Sequence, residues 1–115
     1  MAQNCFFCQI ASGEVTTNLV YKDEKIVAFR DINPQAPTHI LIIPKKHIPT
    51  INDLSDSDID LMGRMFLVAK QLAAADSLSD DGYRIVLNCN SSAGQSVYHL
   101  HMHLIGGRKM AWPPG

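Results

Sequence analysis

Apolar and polar residues alternate with two distinct periods along this chain, and the changes of period divide it into elements. Phe6 to Ser12, closed by Gly13, reads as a short first helix of barely two turns that depends on packing. Leu19-Val20-Tyr21 and Lys25 to Phe29 are β-prone runs separated by the polar Lys22-Asp23-Glu24, which predicts a hairpin. Ile40 to Ile43 predicts a third strand. Pro34 and Pro37 bracket the loop before it, and Pro44 and Pro49 end the run after it, because proline offers no donor to a ladder. Ser55 with Asp58 three residues on resembles a capping box, with Asp in place of the usual Glu, so a helix is expected to begin there. Ile59, Met62, Phe66, Ala69 and Ala73 recur at spacings of three and four, giving an apolar stripe to lie on a sheet, and Asp76 to Gly82 ends the helix. Arg84 to Leu87 and Leu100 to Ile105 complete the set. The expected architecture is α+β, a five-stranded antiparallel meander with two helices in one domain spanning residues 1–115. The tail Trp112-Pro113-Pro114-Gly115 is neither helix nor central strand, so it frays or packs through its tryptophan.

Composition narrows the function. Hydrophobic residues make up 46% and charged residues 18%, which is ordinary globular usage, and a formal net charge of -1 provides no field for a polyanion. Nucleic acid is not an expected partner. The longest apolar run, around His39 to Pro44, is far below the roughly 20 residues that span a bilayer, and Met1 to Asn4 lacks the basic start of an export signal. Cys5, Cys8 and Cys89 are odd in number and show no disulfide-framework spacing, as in a reducing compartment. The expectation is a cytoplasmic protein with no membrane association.

His99, His101 and His103 alternate with Leu100, Met102 and Leu104, the period of a half-buried strand whose apolar face meets the core. Three imidazoles are thereby expected on one face. Surface histidines on an edge strand are one reading and a metal site is a second. Geometry limits the second: at roughly 3.3 Å per residue His99 and His103 lie about 13 Å apart, so one zinc cannot take all three. The third reading is oxyanion chemistry. A neutral imidazole near pH 7 is a nucleophile, provided its other nitrogen is held as a donor, for which a backbone carbonyl is the obvious acceptor. His101, in the middle, is the natural choice. Just upstream, the small polar loop from Asn88 to Ser96 runs directly into the ladder, a candidate phosphate cradle containing Gly94 and Ser96.

Gln95-Ser96-Val97-Tyr98-His99-Leu100-His101-Met102-His103-Leu104 resembles the signature of the histidine-triad (HIT) family, in its Hint branch. Asp31 to His39, Ile43 to His47 and Trp112-Pro113-Pro114-Gly115 resemble the same branch, so the likeness covers nearly the whole chain. It implies a HIT-like homodimer in which two five-stranded sheets form one of ten strands. It also implies hydrolysis of purine nucleoside phosphoramidates and acyl or aminoacyl adenylates through a covalent nucleotidyl-histidine, with no cofactor needed for catalysis. Carried over by residue, the resemblance makes His101 the nucleophile, surrounds it with His39, His99 and His103, and has Ser96 assist the leaving group. Asn88, Gly94 and Gln95 would hold the phosphate, Asp31 the ribose hydroxyls, and Phe7, Ile10, Phe29 and Ile32 the base, with Trp112 beside the neighbour's pocket. Without the resemblance, Asp31 reads as a turn residue and those four apolar residues as core. Ala93 departs from the branch, where glycine is common.

Cys5-Phe6-Phe7-Cys8 has the two-residue gap that structural zinc favours, and His47 and His99 would complete a Cys2His2 set, as some histidine-triad proteins and the related galactose-1-phosphate uridylyltransferases do. Two unrelated cysteines on a short helix are the alternative. Two rival functions stand beside the hydrolase: cleavage of dinucleoside polyphosphates or nucleotide transfer by the same superfamily, and a nucleotide-binding scaffold whose hydrolysis is incidental.

Overall fold

The computed structural model describes residues 5–115. Residues 1–4, on which the expectation about an export signal rests, lie outside the described residues. In chain order the elements are α1 (Phe6–Ser12), β1 (Leu19–Lys22), β2 (Ile26–Arg30), β3 (Thr38–Pro44), α2 (Ile59–Ala75), β4 (Tyr83–Val86) and β5 (Met102–Gly106), with short 3-10 turns at Ile51–Asp53, Asp56–Asp58 and Ser91–Ala93. All pairings in the five-stranded sheet are antiparallel, in the order β1-β2-β3-β5-β4.

That order corrects the meander. β1, β2 and β3 follow one another, but β5 inserts between β3 and β4 and leaves β4 at the edge. Burial gives the physical reason: all seven residues of β3 are buried, so it requires an apolar neighbour on each side, and Met102 and Leu104 of β5 supply one. The irregular connection from Leu87 to His101 carries the chain back to reach that place.

The sheet has two packed faces. Ile26, Ala28, Ile40, Ile42, Met102 and Leu104 meet α2 on one side, and Val27, Phe29, Leu41 and Ile43 meet Phe7, Ile10 and Ala11 of α1 on the other. Both helices form where the sequence places them. Gly13 ends α1 at φ 88°, a left-handed conformation that suits glycine. Asp58 accepts the Ser55 N–H at 3.0 Å before α2, and the turn Asp56–Asp58 leads into the helix.

The apolar stripe of α2 is rotated from the expected one. Ala69 and Ala73 are buried and Met62 is partly buried against the core as predicted, but the rest of the buried face is Met65, Val68 and Leu72, while Ile59 and Phe66 are 66% and 46% exposed. Apolar residues occupy a broad arc opposite Asp60, Arg64 and Gln71, so periodicity alone cannot choose which strip of that arc meets the sheet. At its end, Asp76 accepts two hydrogen bonds from Arg30 at 3.0 Å each and one from the Thr38 hydroxyl at 2.7 Å, which ties α2 to β2 and β3. Beyond β5, the Arg84 guanidinium donates to the Ala111 carbonyl at 3.0 Å and that of Arg108 to the Gln35 carbonyl at 2.9 Å. Trp112 remains 82% exposed. Among the described residues no helix is long and apolar enough to cross a membrane.

Candidate active site

Because β5 begins only at Met102, the histidine ladder is split, and the expected strand from Leu100 is corrected. His103 lies in the strand, opposite Leu41 of β3 and Val86 of β4, whereas His99 and His101 precede it in irregular backbone. The His101 and His103 rings are 5.0 Å apart, and both face the α1 side of the sheet. His99 meets the same helix through Phe7, Cys5 and Cys8 and is fully buried, so the three imidazoles share one face as expected, but the His99 ring is engaged with the cysteines and does not line the cleft.

Hydrogen bonds fix which nitrogens carry protons. His101 Nδ1 lies 2.8 Å from the His99 carbonyl oxygen, which only accepts, so Nδ1 donates and Nε2 keeps its lone pair. A second chain begins at the Gln35 N–H, which donates to His39 Nδ1 at 3.0 Å. His39 must then donate from Nε2 to His103 Nδ1 at 2.9 Å, which leaves His103 with its proton on Nε2. The Asp31 carboxylate lies 3.5 Å from His39 Nε2. Asp31, His39 and His103 also place ligand atoms within 4.8 Å of one another, but a proton between the two rings occupies the space a cation would need.

Burial keeps these rings neutral. It lowers the pKa of His39 and of His101 against the opposing charge of Asp31, and for His101 also against the His99 carbonyl. His103 is pushed down to about 4, first by burial and then by the neighbouring His101 and His39. An uncharged His101 retains its nucleophilic lone pair at neutral pH.

The rings open onto a cleft of about 370 Å³ lined by Phe7, Ile10, Phe29, Asp31, Ile32, Ser96, His101 and His103, all singled out from the sequence. Phe7 stands edge-on to both Phe29 and His101, with ring centroids 5.5 and 5.1 Å away. The other predicted residues lie elsewhere. His39 backs His103, His99 meets the cysteines, and Asn88, Gly94 and Trp112 are not among the lining residues. Gln95 is buried and hydrogen-bonded within its own loop. The lining also includes Phe6, Thr16, Thr17, Arg30, Leu41 and Val97. Only Leu41 had a usable signal, since it is two residues from His39 on the same strand face.

Beside the cleft, Cys5, Cys8, His47 and His99 place one ligand atom each within 4.8 Å of the others. Cys5 caps α1, and its sulfur accepts the Cys8 N–H at 3.4 Å, so the first turn of the helix aims both thiols the same way. His99 donates Nε2–H to the Pro44 carbonyl at 2.7 Å, which leaves the Nδ1 lone pair facing the sulfurs. The Nδ1 atoms of His47 and His99 are 3.2 Å apart, and three sulfur-to-Nδ1 distances are 3.3 Å. A tetrahedral zinc has nitrogen–nitrogen edges of about 3.3 Å and nitrogen–sulfur edges of about 3.6 Å, so these residues fit it. Cys8 as a thiol is pushed up to about 11 by burial and by Cys5.

Comparison with known proteins agrees with this geometry. The HIT domain profile matches residues 12–110. The chain is 49% identical over 110 residues to the purine nucleoside phosphoramidase of Escherichia coli (strain K12), covering 96% of this chain and 92% of that protein. It is 50% identical over 111 residues to a 14 kDa zinc-binding protein of Zea mays, covering 95% of this chain and 86% of that protein. The crystal structure of a HIT family hydrolase from Legionella pneumophila Philadelphia 1 matches with a TM-score of 0.96 and 60% identity, over 97% of this chain and 100% of that one. The chain carrying this split triad belongs to the HIT family.

Proposed function

We propose that this protein hydrolyses purine nucleoside phosphoramidates and acyl or aminoacyl adenylates to the nucleoside monophosphate, through a nucleotidyl group carried on His101. The single observation behind the reading is the 2.8 Å bond from His101 Nδ1 to the His99 carbonyl, which turns a neutral Nε2 lone pair into the cleft that Ser96 and Asp31 also line.

Nε2 of His101 attacks phosphorus, the P–N or P–O bond to the leaving group breaks, and an amine departs with a proton relayed by the Ser96 hydroxyl. Water then attacks phosphorus, the P–Nε2 bond breaks, the imidazole recovers its lone pair, and the proton that water gives up replaces the one Ser96 passed to the amine. The Nε2–H of His103, fixed through His39 and Gln35, is a donor for the phosphoryl oxygens as charge develops on them. Asp31 accepts from the ribose hydroxyls, and Phe7, Ile10, Phe29 and Ile32 enclose the base. The backbone around Gly94, in a left-handed conformation at φ 89°, serves the phosphate, with Asn88 nearby.

Zinc held by Cys5, Cys8, His47 and His99 would act in structure, by fastening α1 to the segment carrying His99; it supplies cross-linking and no acid–base chemistry. The functional unit is a cytoplasmic homodimer of single-domain chains. Support for the dimer comes from the exposed Ile59, Phe66 and Leu67 on α2 and from β4, whose outer edge pairs with no described strand. Joining two such edges would give ten strands, with Trp112 near the partner's cleft.

Incubation with adenosine 5'-phosphoramidate tests the reading. AMP and ammonia should appear in equal amounts, and absence of turnover with AMP still bound would leave a binding protein instead.

A further inference from the structure

Gln95 is 5% exposed in the loop that leads to the histidines, and its side-chain amide is fully engaged there. Its Oε1 accepts the Asn90 N–H at 2.8 Å, and its Nε2 donates to the carbonyls of Pro49 at 2.8 Å and Val97 at 3.1 Å. The partners allow one orientation only, since a flipped amide would set donor against donor and oxygen against two carbonyls. Both Nε2 protons are used, so the side chain has no donor left for an anion.

What these bonds hold is an unusual turn. Asn90 has φ 70° and ψ -180°, a backbone region natural to glycine and costly for other residues. Its carbonyl accepts the backbone N–H of Gln95 at 3.1 Å and of Ala93 at 3.2 Å, while its own N–H is taken by the Gln95 side chain. Gln95 thus closes the 90–95 loop through both its backbone and its amide. The Pro49 end of the clamp belongs to a segment that grips the histidine strand as well: the His47 ring meets His99, and the Ile48 carbonyl accepts the Leu100 N–H at 2.6 Å. Three consecutive residues, 47–49, therefore fasten Gln95, His99 and Leu100 together.

We propose that Gln95 is a positioning residue and makes no contact with substrate phosphate. It sets the loop backbone and the adjacent Ser96 at a fixed distance from His101 Nε2. This rests on the reaction proposed above, and it replaces the phosphate-holding role that the family likeness implies for this side chain. The consequence falls mainly on the chemical step, because the base and ribose contacts proposed above are made by residues on α1 and β2 and in the loop after β2, and of the groups Gln95 bonds only Val97 reaches that cleft.

Two measurements test it. In Gln95→Ala, kcat for adenosine 5'-phosphoramidate should fall by about 30- to 100-fold, as small misplacements of catalytic groups do, with KM changed by less than about threefold. By NMR, the Gln95 side-chain amide protons of the ligand-free wild type should exchange slowly with solvent and hold their shifts on addition of AMP. Normal kcat in the variant, a KM rise matching the loss of kcat/KM, or amide protons that shift and become protected only with AMP would overturn the proposal. A wild type without phosphoramidase turnover would reject the reaction but not this assignment. In that case slow exchange of the Gln95 amide, and loss of Asn90 N–H protection in Gln95→Ala, still decide whether the clamp exists.

Discussion

His101 depends on a proton it never gives up. Because Nδ1–H is committed to the His99 carbonyl at 2.8 Å, the reactive nitrogen is fixed as Nε2, and burial keeps the ring neutral. His101→Asn should therefore lose at least about four orders of magnitude in turnover while still binding AMP, because the residues proposed to hold base and ribose are others. Acid-quenched wild-type enzyme, incubated with a labelled adenylate, should retain label on a peptide containing His101; label on Ser96 would contradict the mechanism. His103 depends on a relay of three residues, so substitutions at His39 should cost less than at His101 yet more than a surface change, measured as kcat. The identity of these residues was readable from the sequence. Their tautomers were not, since they are set by a carbonyl two residues away and by the Gln35 N–H across a loop.

The elements show how short segments borrow order from neighbours. α1 has only seven residues, too few to be stable alone, and its first turn carries Cys5 and Cys8 of the cluster with His47 and His99. Chelation of zinc-loaded protein should lower Tm, and Cys8→Ser should abolish metal retention and give the same Tm without chelator. Protein expressed in zinc-supplemented medium that contains no metal by elemental analysis would exclude the site. The hairpin between β1 and β2 depends on Asp23. Burial disfavours the charge of Asp23, but hydrogen bonds from Tyr21, the Lys25 and Ile26 N–H groups and Arg64 outweigh it and bring the pKa from 3.8 to about 2. A folded pKa below the unfolded one stabilises above about pH 4 and is lost as pH falls through about 2. Asp23 is partly exposed, so the contribution is on the order of 1 kcal/mol after screening. Asp23→Asn should lower Tm at pH 7, with the gap to wild type narrowing below pH 4. A gap independent of pH would assign the loss to something other than the charge.

For the whole molecule the open question is what covers the outer face of α2. Ile59, Phe66 and Leu67 are 66%, 46% and 60% exposed on one helix, and β4 is an edge strand whose outer side pairs with no described strand. Light scattering should give two chains per particle, and Phe66→Glu should shift the protein toward monomer by placing charge on that face. A clean wild-type monomer at micromolar concentration would reject the dimer. Removing Trp112 to Gly115 should change the preference among leaving groups more than it changes Tm, because Trp112 is 82% exposed and its loss uncovers little core.

Local signals determined much of this protein. A terminal glycine, a capping pair and β-prone runs between polar turns placed both helices and all five strands to within a few residues, because each depends on neighbours along the chain. The residues of the cleft were legible mainly through family likeness, since Phe7, Ile10, Phe29 and Ile32 read by themselves as core. Tertiary structure alone decided three things. β5 entered between β3 and β4 because a wholly buried central strand needs apolar partners on both sides, a requirement that no connection length reveals. The contact face of α2 was chosen by packing on the sheet, because the helix's apolar arc is wider than the strip that is buried there. His99 joined a cluster of its own because its ring meets Cys5, Cys8 and His47, residues separated from it by 52 to 94 positions, while its carbonyl holds His101. Side-chain alternation could put the three rings on one face, but the groups each ring meets there come from distant segments.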